Sequence, residues 1–235
     1  MLKLSGLNNV KVVELKPDNW GQRLGALKAN KKRNYAIKPP RKDEKLSELM
    51  GIILGDGNIS ADRENGVYCL KIFFDSNKEV KYAKYVKSVL EDVFKIEPKL
   101  RKFKNKNCIY LVIQSKGVVD YLKTQGFFSG DKIRNQLTIP RWIQSNERFL
   151  RCCVRGLIDT DGSIYRLTPN WPNLTQIQFK NHNKTLLEDT RVALIKLGFN
   201  PSKIHDGNRF VLTRKDEIAK YIKEVGTINK KSPVV

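Results

Sequence analysis

One nine-residue pattern occurs twice in the chain, and no other feature constrains the fold as much. The first copy is Leu49-Met50-Gly51-Ile52-Ile53-Leu54-Gly55-Asp56-Gly57, and the second is Val154-Arg155-Gly156-Leu157-Ile158-Asp159-Thr160-Asp161-Gly162. Each is an apolar run with a small residue every fourth position, closed by Asp-Gly. Gly51 and Gly55 stand one helical turn apart, as do Gly156 and Thr160, so each helix carries a smooth stripe. Two such stripes allow the helix backbones to pack unusually close, which sets Asp56 and Asp161 side by side at one end of the pair. Two carboxylates there repel each other unless a divalent cation sits between them. The glycine after each aspartate is expected to end the helix and free the chain to turn.

The duplication extends past the motif. The two terminal aspartates stand 105 residues apart in a chain of 235, a domain-sized spacing. Phe73-Phe74-Asp75-Ser76-Asn77-Lys78 is echoed by Phe179-Lys180-Asn181-His182-Asn183-Lys184, and Tyr121-Leu122-Lys123 before Gly126 by Tyr221-Ile222-Lys223 before Gly226. In the first copy, which begins near Glu44, strands are expected at Asn58–Ser60 and Val67–Phe74 around the turn residues Asp62–Gly66. A helix follows over Lys78–Phe94, then a hairpin of Lys99–Lys104 with Cys108–Gln114, then a short helix over Gly117–Gln125. The second copy repeats the order. Its motif helix is Glu147–Thr160, and strands Ser163–Leu167 and Thr175–Lys180 are joined by a longer loop holding Trp171 and prolines. A helix over Lys184–Leu197, a hairpin of Lys203–His205 with Arg209–Thr213, and a helix over Glu217–Val225 complete it. The expected class is α+β: two pseudo-twofold αββαββα units whose antiparallel sheets form a saddle around two central packed helices. The chain divides into a basic extension (1–44), a first repeat (45–135), and a linker with the second repeat (136–235).

A formal charge of +21 points to a polyanionic partner, either nucleic acid or an anionic membrane surface. No apolar run approaches membrane-spanning length, and Met1-Leu2-Lys3-Leu4-Ser5 is not a secretory signal, which favours nucleic acid. Cys69, Cys108, Cys152 and Cys153 lack metal-ligand spacing and read as reduced thiols of an intracellular protein, in cytoplasm, nucleoid or organelle matrix. His182 and His205 are too few for a zinc cluster and read as polar strand or loop residues. Before the repeat, Val10–Leu15 fits a short strand and Pro17-Asp18-Asn19-Trp20 a helix start. Lys28 to Lys42, with Lys31, Lys32 and Arg33 at its centre, holds seven Lys/Arg and no acid. Such a run is either a solvated linker or an arm along DNA phosphates.

The two motifs resemble those of the LAGLIDADG homing endonucleases, specifically the single-chain type with two motifs. The first copy departs at Leu54, where the family's first acid usually stands, and the second at Val154, Arg155 and Thr160. The resemblance covers nearly everything after residue 44. It implies a monomeric, Mg²⁺-dependent endonuclease that cuts both strands of duplex DNA, with Mn²⁺ or Ca²⁺ substituting for binding. Asp56 and Asp161 would be the metal-binding catalytic acids, with the Gly55 and Thr160 carbonyls as further ligands. Asp75 and Asn181 match a strand-end position that often holds a water-positioning Gln; for Asp75 the residue type leaves metal binding and helix capping both open. Lys132 matches the lysine found near the scissile phosphate, and its second-half counterpart is either Lys230 or Lys231. Asp159 reads as a structural helix-end acceptor, because Leu54 replaces it in copy one.

The same resemblance makes the sheets a DNA-reading surface. In Gln176-Ile177-Gln178-Phe179-Lys180 the apolar pair points to the core, which turns Gln176, Gln178 and Lys180 outward. Gln bonds adenine edges bidentately, and Lys or Arg bonds guanine O6 and N7. Lys71, Arg101, Lys104, Gln114, Arg166, Arg209 and Arg214 are further candidates. The halves carry different residues, so the target is expected to be long and not palindromic. No splicing block flanks the motifs, which gives the expectation of a free-standing, intron-encoded enzyme. The alternatives are an intron maturase, which adds host intron RNA as a partner, and a catalytically silent DNA-binding regulator of the same fold.

Overall fold

The structure is a computed structural model that describes residues 19–25, 37–168 and 171–230. Residues 20–25 are helical (α1); the expected strand at Val10–Leu15 and most of the basic run fall outside the described residues. The motif runs form two central helices, α2 (Glu44–Asp56) and, past the repeat's remaining elements, α6 (Glu147–Asp161). Each starts on a side-chain cap. Asp43 accepts from the Leu46 amide, and Asn146 from the amides of Arg148 and Phe149, satisfying donors that a helix start leaves unpaired.

After α2 come β1 (Gly57–Asp62), β2 (Val67–Asp75), α3 (Val80–Phe94), β3 (Lys99–Lys102), β4 (Cys108–Gln114) and α4 (Lys116–Thr124). The short α5 (Arg141–Gln144) bridges to α6, followed by β5 (Gly162–Thr168), β6 (Trp171–Lys180), α7 (Lys184–Lys196), β7 (Arg209–Leu212) and α8 (Lys215–Glu224). The strands form two antiparallel sheets, ordered β1-β2-β4-β3 and β5-β6-β7. The fold class is the expected α+β arrangement around a central helix pair. No helix among the described residues is long and apolar enough to cross a membrane.

The stripes do what their spacing predicts. A Cβ on Gly51 would run into the Cys153 carbonyl, and one on Gly156 would lie 2.5 Å from the Glu48 carbonyl oxygen and 2.9 Å from the Ile52 nitrogen. Backbone meets backbone there, so nothing flexible is available to give way. Gly57 and Gly162 behave differently from expectation. Gly57 has φ −76° and Gly162 φ −88°, ordinary extended backbone, so neither makes a left-handed turn. Their glycine is steric: a Cβ on Gly57 would lie 2.5 Å from the Ile53 carbonyl oxygen, because the strand folds straight back over its own helix.

Two expected elements differ. Lys203–His205 is no strand and touches β7 only by a bridge between His205 and Arg209. The Val211 amide bonds the Ser202 hydroxyl (3.1 Å) while the Val211 carbonyl accepts from the Ser202 amide (2.9 Å), so a side chain takes the place of one rung of the ladder. Trp171 begins β6 and does not sit in a long loop; β5 and β6 pair as far as Thr168 and Trp171 through a register shift after Arg166. That irregularity is where a strand tolerates Pro172.

The core is one cluster on the inner faces of both sheets. Leu70, Ile72 and Phe74 from β2 and Ile109, Leu111 and Ile113 from β4 are buried with α2 and α3 residues, and Ile177, Phe179, Phe210 and Leu212 play that part in the second half. The alternation leaves the opposite face of each sheet free and delivers both motif helices, C-terminal ends together, to the middle of the molecule.

Candidate active site at the ends of the motif helices

Asp56 and Asp161 are the last residues of α2 and α6. A Cβ on Gly55 would lie 3.4 Å from Asp161 Oδ2, a measure of how near the second carboxylate comes to the first helix. Burial, then the charges of Asp161 and Glu79, push the Asp56 carboxyl up to about 7, against the pull of Lys132 and Lys230. Burial also raises Asp161, opposed by Lys132, by the hydrogen bond from Asn181 and by Lys230. These helix C-termini add the negative end of the helix dipole to the two carboxylates, so the region attracts cations.

Two ammonium groups already answer that field. Lys132 Nζ donates to the carbonyls of Gly55 and of Leu54, the latter at 3.0 Å. Lys230 Nζ lies 3.4 Å from the Thr160 carbonyl. Burial lowers the Lys132 pKa, while Asp161 and then Asp56 hold it up. Of the two second-half lysines left open by the sequence, Lys230 stands at the pseudo-equivalent helix end, and Lys231 lies outside the described residues. Both carbonyls expected as metal ligands therefore carry a lysine, which occupies the cation's side of each helix end.

Asn181 Nδ2 donates to Asp161 Oδ2 at 2.7 Å. Its counterpart Asp75 does not reproduce this. The Asp75 carboxylate accepts from the amides of Asn77 (2.8 Å) and Lys78 (3.0 Å) in the turn before α3. Asp159 is fully buried and accepts from the Thr227 hydroxyl and the Ile228 amide (2.9 Å), pinning the stretch that carries Lys230.

Sequence reasoning missed Glu79 and Asn183. Glu79 Oε2 accepts from the Asp75 amide (2.9 Å), Glu79 Oε1 accepts from Asn229 Nδ2 (2.6 Å), and its charge reaches Asp56. Asn183, buried, caps α7 and donates to the Leu137 carbonyl at 2.8 Å. The letter match ends at Lys78 and Lys184 and, carried one residue further, sets Glu79 against Thr185, whereas the fold pairs it with Asn183, each being the residue just before its helix.

A cleft of about 200 Å³ opens here, with Leu54, Gly55, Lys132, Asp161, Lys180 and Asn181 in its wall. Among the described residues no three His, Cys, Asp or Glu side chains converge. Two carboxylates and a few carbonyls form a hard-oxygen set that suits Mg²⁺, which keeps several waters and few protein ligands, and does not suit zinc.

Two family models match the chain in tandem, the LAGLIDADG DNA endonuclease family over residues 46–141 and the LAGLIDADG-like domain over residues 148–226. The chain belongs to the LAGLIDADG family. Among solved structures it is similar to I-DmoI in complex with DNA and Ca, at TM-score 0.53 and 20% identity, covering 81% of this chain and 94% of that one. It is likewise similar to the homing endonuclease I-WcaI bound to its DNA recognition sequence, at TM-score 0.55 and 18% identity, covering 92% of each. A curated relative, the uncharacterized Methanocaldococcus jannaschii protein MJ0314, is 27% identical over 161 residues, 68% of this chain. The chain spans little more than half of that relative, 56% of its length.

On a LAGLIDADG saddle the groove-facing residues lie opposite the core. In the first sheet Lys71, Arg101 and Gln114 occupy that face, with Tyr110 opposite both Phe73 and Arg101 in the register. Lys104 is exposed at the tip of the β3–β4 hairpin. In the second, Gln178 and Lys180 remain accessible, whereas Arg166, though exposed, pairs with Thr175 on the face of Ile164 and Ile177, the core side, because its position differs by one residue from the outward row. Gln176 does not: it is on the expected face but only 8% exposed. Its cross-strand partner Tyr165 leans over that row and donates to Gln178 Oε1 (2.8 Å). Arg209 is ion-paired with Asp206 and Arg214 with Asp216; both pairs are exposed and easily exchanged for phosphates. Lys31, Lys32 and Arg33 lie outside the described residues.

Proposed function

We propose that the protein is a site-specific, divalent-metal-dependent endonuclease that cleaves both strands of a long, non-palindromic DNA duplex as a monomer. What supports it is the convergence of Asp56 and Asp161, desolvated together at the ends of two interlocked helices, with one lysine seated beside each. Inert helix ends have no use for two repelling carboxylates, and a silent DNA-binding descendant has no use for keeping both. Among the similar structures, I-DmoI was solved with DNA and Ca and with DNA and Mn.

Asp56 and Asp161 would hold the cation, while the Gly55 and Thr160 carbonyls, expected as further ligands, are engaged by Lys132 and Lys230. A bound divalent ion supplies charge neutralisation on the scissile phosphate and acidifies a water. The chain's own side chains do the rest. Lys132 and Lys230 bring positive charge to the phosphate oxygens as charge develops there. Asn181 fixes the rotamer of Asp161 through its 2.7 Å bond. The two sheets orient the duplex, Lys71, Arg101, Gln114, Gln178 and Lys180 reading base edges or phosphates.

The test is a plasmid library with randomised inserts, incubated with the protein with and without Mg²⁺. Recovery of linear plasmids sharing one insert, only with the metal, is the expected result. Selective retention of inserts with no cutting under any divalent ion would make the protein a DNA-binding regulator.

A further inference from the structure

Each lysine-bearing segment is bonded to the other repeat as well as to its own. Asn183, which caps α7 of the second repeat, donates through Nδ2 to the carbonyls of Leu137 (2.8 Å) and Lys132 (3.4 Å), in the segment that closes the first repeat. The Asn183 amide in turn donates to Asn181 Oδ1 (2.7 Å), and Asn181 holds Asp161 (2.7 Å). A continuous hydrogen-bonded path therefore runs from the second aspartate to the first lysine.

The mirror connection exists with different chemistry. Glu79, just before α3 of the first repeat, accepts from Asn229 Nδ2 (2.6 Å) next to Lys230 in the second repeat. Asn229 Nδ2 also donates to the Asp159 carbonyl (2.7 Å), and the Lys230 amide donates to the Thr227 hydroxyl (2.9 Å). Each segment is thus clamped from across the pseudo-twofold axis, one by an amide and the other by a carboxylate.

We propose that Asn183 and Glu79 are positioning residues that act across the axis, each holding the other repeat's lysine at its helix end and so setting the rate at which one particular strand is cut. This rests on the endonuclease reading above. Neither residue needs to touch DNA. The two clamps are chemically distinct, so one is removed without disturbing the other.

The experiment uses the full chain and a duplex carrying the recovered insert, labelled on either strand, with amide hydrogen exchange of the metal-free protein alongside. Glu79→Ala is expected to speed exchange in 227–230 and to slow one strand by on the order of tenfold to a hundredfold, the size of effect produced by a small misplacement of a reacting group. Nicked product then accumulates. Glu79→Gln, which keeps an acceptor for Asn229, restores most of the rate, and Asn229→Ala reproduces the defect without adding to it in the double variant. Asn183→Ser, which keeps a capping oxygen but loses the amide donor, loosens 132–137 and slows the opposite strand. Equal slowing of both strands by either variant overturns the crossed arrangement, as does unchanged exchange in the segment concerned. The exchange measurement stands whether or not the wild type cuts DNA, which separates this inference from the endonuclease reading.

Discussion

Glu48 and Arg155 meet across the two motif helices in a two-pronged ion pair, Nε to Oε1 at 3.1 Å and Nη2 to Oε2 at 2.5 Å, with the Glu48 side chain 3% exposed. Tyr85 adds a hydroxyl to Oε2 at 2.9 Å. The pair bolts the helices together about two turns back from the aspartates, at the middle of α6. It also explains Arg155, which in sequence is simply a charge interrupting an apolar motif. Arg155→Ala leaves a buried carboxylate without its cation and is expected to destabilise the fold by about 3 kcal/mol in denaturant unfolding. The double variant Glu48→Met with Arg155→Leu removes both charges and should recover most of that loss. Equal losses in the single and double variants would mean the pair stabilises by its packing and not by its charge.

The glycine contacts give a second prediction. Gly51→Ala drives a methyl into the Cys153 carbonyl, and Gly156→Ala drives one toward the Glu48 carbonyl. Each should cost about 1–3 kcal/mol, as overpacking of a rigid interface does. The carboxylates sit at the end of this interface, so cleavage should fall further than stability alone accounts for. A pair of alanine variants with wild-type melting temperatures would show that the helices stand farther apart than described.

Much of this was legible in the letters, for reasons that can be named. The glycine stripe, the apolar faces and the terminal aspartates are local patterns with a fixed geometric meaning, and they led to the helix pair and to Asp56 and Asp161 directly. Lys132 came only through family resemblance, since nothing in its neighbourhood marks a lysine that donates to a helix end 77 positions earlier. Glu79 and Asn183 were hidden because the turn lengths before α3 and α7 differ, so aligning letters misaligned the two residues that precede the helices. Gln176 obeys the alternation rule and is still only 8% exposed, because strand periodicity specifies a face and not how open that face is.

The carboxylates should trade stability for function. Asp56 is half-buried near Asp161 and Glu79, and its raised pKa records the cost of ionising it there. Asp56→Asn removes that repulsion and keeps the shape. Well above neutral pH, in chelator, the variant is expected to be more stable than wild type by on the order of 2 kcal/mol. Added Mg²⁺ should raise the wild-type melting temperature and close the gap, by linkage of metal binding to the native state. Cleavage should be lost while binding of the recovered insert stays near wild type. A variant less stable than wild type without metal would mean that Asp56 is held by favourable contacts and is no ligand in waiting.

The groove face of the first sheet carries an aromatic cluster that alternation alone leaves unexplained. Phe73 stacks on Phe103 (centroids 6.1 Å), and both approach Tyr110 (5.8 and 5.0 Å) on the side away from the core. Lys71 and Lys106 sit within 6.0 Å of the Tyr110 and Phe103 rings, and Phe103 is 39% exposed. In a major groove the one apolar feature a base pair presents is the thymine methyl, and an exposed Phe edge suits it. Phe103→Ala should therefore weaken binding of the recovered insert by about tenfold, as losing one specific base contact does. Exchanging single thymines for deoxyuridine in that half-site should reproduce the loss with the wild-type protein at one position, and produce no further loss with the variant. Melting temperature distinguishes this from bracing of the β3–β4 hairpin: bracing predicts a destabilised variant that is equally weakened on every insert and indifferent to the missing methyl.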